Sequence, residues 1–269
     1  MRMLPTLAFA AATLLGTTAA FAGVISTGPG GTIVTTETSW ETNTQTVGSV
    51  LQGVVSVASI NNFASIANPV YVSGGGGQYL SAVFGGFVLQ KIDITGNSFQ
   101  LSFSGGFINY YTSATNPFAS LSLVNSGTVA NAIDVVDNGA LWESFTAQTI
   151  SPDGYTLLIT GTTQSGSLNN VTSSGTSTVF LDRLPGGLGG LVDDSLINPY
   201  LSQIADASYQ GSANTGQCAQ YGITASSPFQ ICGSDNLSAA VIPEPITMSL
   251  FGAGLVGAVA LRRRKAKKA

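Results

Sequence analysis

The chain has 269 residues, of which 8% are charged, and it contains no histidine. The missing histidine excludes Ser-His-Asp and Cys-His catalysis, histidine metal sites and imidazole acid–base chemistry. Of nine Lys and Arg residues only Lys91 and Arg183 lie between Gly23 and Ile242, against twelve acidic residues, so this region carries 2 − 12 = −10 and excludes nucleic acid as a partner.

In chain order, the first stretch reads MRMLPTLAFAAATLLGTTAAFA. Arg2 is a short positive start, Leu4 to Leu15 is apolar, and Ala20-Phe21-Ala22 has the small-x-small pattern of a signal-peptidase site. This predicts a signal peptide over 1–22, cleaved before Gly23. The apolar run is short for a retained membrane helix and stops in Gly16-Thr17-Thr18.

From Gly23 to Ala240, short apolar runs recur between Gly, Asn, Ser and Pro. TIVTTETSW is rich in β-branched residues, and VGSVLQGVVSVASI and PVYVSGG alternate or nearly so. In KIDITG and SFQLSFSGG, Ile92, Ile94, Phe99, Leu101 and Phe103 keep period two around the turn sequence TGNS. ASLSLVNSG, IDVVDNGALWESFTAQTI, GYTLLITGTT and TSTVFLDRL continue the series. The spacing predicts a mainly β domain over 23–240, an antiparallel, jelly-roll-like β-sandwich with one short helix. That helix is placed after Asn198 as N-cap and Pro199 at the first turn, with Leu201, Ile204, Ala205 and Tyr209 on one face. AVFGGF (82–87) and SFSGGF (102–107) share an ending, but two short matches make no array.

Cys218 and Cys232 are expected to form one disulfide in an exported protein, stapling a surface loop near the end of the domain. GSDNLSAAV then reads as a linker. No residue pattern in the body defines an active site. Asp134, Asp137 and Glu143, and the pair Asp193-Asp194, do not place two carboxylates across a sugar as a glycosidase needs, and Asp-Asn-Gly and Ser-Pro-Asp-Gly are turn sequences. Asp134, Asp137, Asn138, Asp193 and Asp194 offer hard oxygen ligands, which leaves calcium as a weaker option without EF-hand spacing. SGGGGQ (73–78) lacks the Lys-Ser/Thr of a phosphate-binding loop. Trp40, Trp142, Tyr110 and Tyr111 are read as core, with stacking on sugars as the alternative. The expectation is a protein that is not an enzyme and takes no cofactor.

The last stretch is VIPEPITMSLFGAGLVGAVALRRRKAKKA. Pro243 and Pro245 lack N–H groups and bias the preceding residues toward extended backbone, so Pro243-Glu244-Pro245 reads as an exposed extended peptide. Ile246 to Leu261 carries no charge and predicts a single transmembrane helix of roughly 24 Å, marginal against a ~30 Å hydrocarbon core. Arg262, Arg263 and Arg264 form the stop, which keeps the tail in the cytoplasm and the body outside.

In this order, with a leader at the other end, the segment resembles the PEP-CTERM protein-sorting class of Gram-negative bacteria over about its last 29 residues. The matching positions are Pro243, Glu244 and Pro245, the helix 246–261, and Arg262 to Arg264; Ile242 stands where the family often has valine. The resemblance implies 241–269 is a sorting signal, held transiently in the inner membrane and removed by exosortase, a membrane-embedded processing enzyme, on the way to the cell surface or extracellular matrix. It implies a route rather than an activity. The functional expectation is a structural or adhesive protein of exopolysaccharide, biofilm or flocs. The alternatives are a secreted carbohydrate-binding protein or carbohydrate-active enzyme, and a permanently anchored single-pass membrane protein.

Overall fold

The computed structural model describes residues 25, 31–65, 69–163, 174–186, 196–198, 203–214, 218–224 and 226–241. The predicted signal helix over 1–22, the Pro-Glu-Pro motif and the predicted membrane helix over 246–261 lie outside them. Among the described residues, no helix is long and apolar enough to cross a membrane.

The long strands are β1 (Gly31–Glu41), β2 (Val50–Asn62), β4 (Tyr79–Thr95), β9 (Ser174–Arg183), β12 (Ala207–Asn214) and β13 (Ile231–Val241). Shorter ones are β3 (Tyr71–Val72), β5 (Ser98–Ser104), β6 (Phe107–Ser113), β7 (Ala140–Ala147), β8 (Leu157–Thr162), β10 (Leu196–Asn198) and β11 (Gln203–Ala205). Their pairing closes on itself. Around the ring come β1, β2, β4, then β5 and β6 end to end, β7 and β8 end to end, β9, β12 and β13, which pairs back onto β1. With β5–β6 and β7–β8 each taken as one stave, successive staves in the chain are neighbours in the ring, and each pairing is antiparallel.

This is an up-and-down barrel of eight staves, and it corrects the jelly-roll sandwich expected from the sequence. Strand spacing and alternation are the same in both architectures, so the pattern identified strands but not their partners. What separates them is the pairing of the first strand with the last, from Gly31 with Val241 to Glu41 with Ile231.

The shared Gly-Gly-Phe endings have a structural meaning here. β4 is long enough to pair with β6 through its first half and β5 through its second. Gly85 lies opposite Phe107, and Gly86, Gly105 and Gly106 all have positive φ at the bend between the two halves. A Cβ on Gly106 would come within 2.2 Å of the Phe87 ring, so this stave bends only with glycine there.

The helix expected from Asn198 onward is not formed. Among the described residues of that stretch are β10, β11 and β12, in which Ala205, Ala207 and Tyr209 are buried at period two. The stretch read as a linker, GSDNLSAAV, lies within β13, the closing stave: Asp235, Leu237 and Ala239 are buried while Ser234 is exposed. Helices form elsewhere, in segments read as strands: α1 (Ser122–Asn125) and α2 (Val129–Asp137). Thr128 caps α2, its hydroxyl accepting from the Asn131 N–H at 3.1 Å, and Ala132 and Val136 are buried.

The core has two parts. Inside the barrel, Phe84, Phe87, Phe103, Tyr110, Trp142 and Phe145 pack with aliphatic side chains from every stave. Trp142 donates to the Ile25 carbonyl at 3.4 Å and is fully buried. Outside, α1, α2 and the disulfide loop cover the wall at Trp40, Val54 and Val83, with Trp40 and Phe118 rings 4.9 Å apart. The expected Cys218–Cys232 disulfide is present and ties that loop to β13.

Candidate functional site

Two places on the barrel carry polar chemistry beyond structural need. The first is outside. Because residues directly opposite share a face, the register lines up Thr160, Thr176, Ser212, Ser234, Thr38 and Ser56 in one row across β8, β9, β12, β13, β1 and β2. At the β8–β9–β12 end, Thr160, Thr162, Ser174, Thr176 and Ser212, with Tyr221, border an open groove of about 400 Å³ that has no charged lining residue among the described residues. The volume lies within the roughly 300–1,000 Å³ range of small-molecule sites.

The second is inside. Along β1 the inward positions are Ile33, Thr35, Glu37, Ser39 and Glu41. Glu37 is 2% exposed and directly opposite Asp235, 5% exposed, on β13. Their Cβ atoms stand at cross-strand distance, about 5 Å. Glu37 Oε1 accepts from Thr35 Oγ1 at 2.5 Å and from Tyr110 Oη at 3.0 Å. Ser39 Oγ donates to Glu41 Oε1 at 3.0 Å. The Tyr209 hydroxyl sits between the Glu37 and Asp235 carboxyls and Ser39 faces Asp235, although Glu37 Oε2, Asp235 Oδ2 and Tyr209 Oη fall outside close hydrogen-bond geometry.

Burial raises Glu37 from its ordinary 4.5 to about 7, with the Asp235 charge adding to the rise. Burial likewise pushes Asp235 above the usual carboxylate range, and Glu41 too, where Asp235 again contributes. Gly211 makes room for this layer: a Cβ there would meet Asp235 Oδ1 at 2.2 Å and Ser177 Oγ at 2.9 Å. Two small cavities, about 30 Å³ beside Asp235 and Tyr209 and about 60 Å³ at the barrel mouth, share Glu41, Leu51 and Ile159 in their walls.

The sequence-derived acidic candidates are scattered. Asp134 and Asp137 are exposed on α2, and Asn138 donates to the Asp134 carbonyl at 2.6 Å. Glu143 is buried and held by Arg183, whose Nε and Nη2 donate at 2.7 and 3.0 Å. Asp193 and Asp194 lie outside the described residues. Among the described residues, no group of three His, Cys, Asp or Glu could hold a metal ion. Trp40, Trp142 and Tyr110 are buried, and Tyr111 is half-buried, as core residues rather than exposed platforms. The interior layer of Glu37, Glu41 and Asp235 was missed. Its signal was present, since Glu37 and Glu41 share the Ile33 side of a period-two run and Asp235 shares that of Leu237 and Ala239.

The body is thus a closed, acidic β-barrel with a hydroxyl-rich outer wall, followed by a segment of different composition. Residues 241–265 match the PEP-CTERM protein-sorting motif. This motif implies processing by exosortase and sorting to the cell surface or beyond. No curated protein and no solved structure matches the chain.

Proposed function

We propose that the exported barrel is a non-catalytic structural or adhesive component of the surface or extracellular matrix, contacting neutral exopolysaccharide through its outer hydroxyl groove. The observation that carries this reading is the aligned row Thr160–Thr176–Ser212–Ser234 beside a groove of about 400 Å³ whose described lining residues carry no charge. Hydroxyls donate and accept, as sugar hydroxyls do, and Tyr221 at the margin adds an apolar ring face. The −10 body repels anionic polymers, which favours a neutral glycan.

The test is retention of the exported protein on columns of neutral and anionic polysaccharides. Retention on a neutral polymer, reduced several-fold in the Thr160→Val/Thr176→Val double variant, is expected. No retention, or retention unchanged in the variant, overturns the reading. The route after export includes transient anchoring in the inner membrane before release. Mass spectrometry of the surface protein should find residues 246–269 removed, and a retained basic tail would favour the permanently anchored alternative.

A further inference from the structure

The outer groove is built from two pieces of chain. Its floor is the outer face of β8, β9 and β12, carrying Thr160, Thr176 and Ser212. A further part of its lining comes from the disulfide loop. Tyr221 closes the short helical turn Cys218–Tyr221, Cys232 lies on β13, and both line the groove. The Cys218–Cys232 bond therefore ties this wall to the barrel at the groove itself.

Tyr221 is half-buried. It packs against the cluster that holds Trp40, Phe118 and Phe229, and it also borders the groove. A tyrosine backed by core in this way offers a large contact area and loses little freedom when a ligand stacks on it. Two anchors hold it. Beyond Tyr221, the Asn125 amide donates to the Gly222 carbonyl at 2.6 Å, and its oxygen accepts from the Thr224 N–H at 2.7 Å. Before Tyr221 is the disulfide, and the Ile223 N–H donates back to the Cys218 carbonyl at 3.0 Å across the turn. The Trp40 indole reaches the Tyr221 carbonyl only at 3.4 Å, longer than a usual N–H···O bond. Without the sulfur bridge, Cys218 stands 14 residues of chain from its anchor on β13, and the turn keeps only the Asn125 clasp and its apolar packing.

We propose that the Cys218–Cys232 disulfide switches the outer groove on: only the oxidised loop holds Tyr221 as the wall on which a sugar ring stacks. This rests on the groove being the polysaccharide contact. In the oxidation, the two thiols pass two electrons and two protons to a disulfide of a thiol-oxidising protein. The Sγ–Sγ bond forms and the donor leaves as a dithiol. A reducing cytoplasm keeps the chain in its thiol form, and an oxidising compartment outside it supplies the donor. Cys218 is 7% exposed and Cys232 1%, so the bond forms before the loop is buried, and folding then shields it from reductants. The groove is made competent once, after export.

Two measurements separate the switch from the ligand. The first is hydroxyl-radical labelling of the exported protein without polysaccharide, read by mass spectrometry at Tyr221. Labelling should rise several-fold in the Cys218→Ser/Cys232→Ser variant, while buried Tyr110 in the barrel stays unlabelled in both. The second is retention on a neutral polysaccharide. The serine variant and Tyr221→Ala should each bind about tenfold more weakly, the loss expected for one stacked ring, and Tyr221→Phe should bind as the wild type does. Tyr221→Ala added to the serine variant should weaken it no further, because both changes remove the same wall. Unchanged labelling of Tyr221 in the serine variant overturns the switch, whatever the column shows. Undiminished retention of that variant, or losses that simply add, overturns it too. Wild type retained on no polymer overturns the polysaccharide reading instead, and labelling alone then decides whether the wall needs its disulfide.

Discussion

Replacing Glu37 by Gln should remove most of one acid-dependent component of stability. In the barrel, Glu37 faces Asp235 on β13, Thr35 on its own strand, Tyr110 on β6 and Tyr209 on β12. The unfolded chain releases its proton near 4.5, whereas the folded barrel keeps it to about 7. Between those values the unfolded state binds fewer protons, so folding stability falls as pH rises, and the loss is complete above about 7. At about 1.36 kcal/mol per pKa unit, the difference is roughly 3 kcal/mol. Glutamine is neutral throughout and similar in shape. The variant should match the wild type near pH 4 and exceed it by about 3 kcal/mol at pH 8, roughly 6–12 °C in Tm for a body of this size. Urea unfolding followed by fluorescence of Trp40 and Trp142 at pH 4, 6 and 8 measures this. A shallower decline should remain in the variant, from Asp235 and Glu41. A wild type as stable at pH 8 as at pH 4, or a variant with the wild-type slope, would refute the reasoning.

Other substitutions probe the surrounding framework. Gly211→Ala should cost about 1–3 kcal/mol in chemical denaturation, because the new methyl overlaps Asp235 Oδ1 and crowds Ser177. Arg183→Met should cost about 3–5 kcal/mol, by leaving Glu143 buried without its cation; Glu143→Gln in the same chain should restore part of it. Cys232→Ser should lower stability by about 3 kcal/mol, the chain-entropy value for a loop of this length, with the loss read as a shift in urea midpoint relative to the oxidised wild type.

The strands were legible where apolar residues alternate, as in SFQLSFSGG, and the disulfide followed from export plus an even cysteine count. The closing stave was not. Asp235, Leu237 and Ala239 face inward, but their Ser, Asn and Gly neighbours give the composition of a linker. The helix at Asn198 failed because Pro199 and a few spaced apolar residues satisfy a helix template locally, while pairing of β12 with both β9 and β13 stabilises the strand. α2 failed in the opposite direction: its Val and Ile residues favour strands, and the Thr128 cap with Ala132 and Val136 on one face decided the outcome. The interior acids escape a pattern that is scored only for apolar residues, since Glu37, Glu41 and Asp235 occupy inward positions of alternating strands. Glu37 shows that an alternating pattern must be read for polar residues on its apolar side as well as for the apolar ones.

The seam between β1 and β13 ties folding to the timing of export. A chain crossing the membrane N-terminus first delivers β1 early, but its partner is the last strand to arrive, with Gly31 waiting for Val241. Until then the emerging sheet has two open edges, a hazard for pairing with other chains. Val241 is only two residues ahead of Pro243, so the strand that seals the barrel and the motif read by the processing enzyme leave the export channel together. A cut at or beyond Pro243 therefore releases a body whose ring can already be shut. A cut upstream of β13 would release an open one.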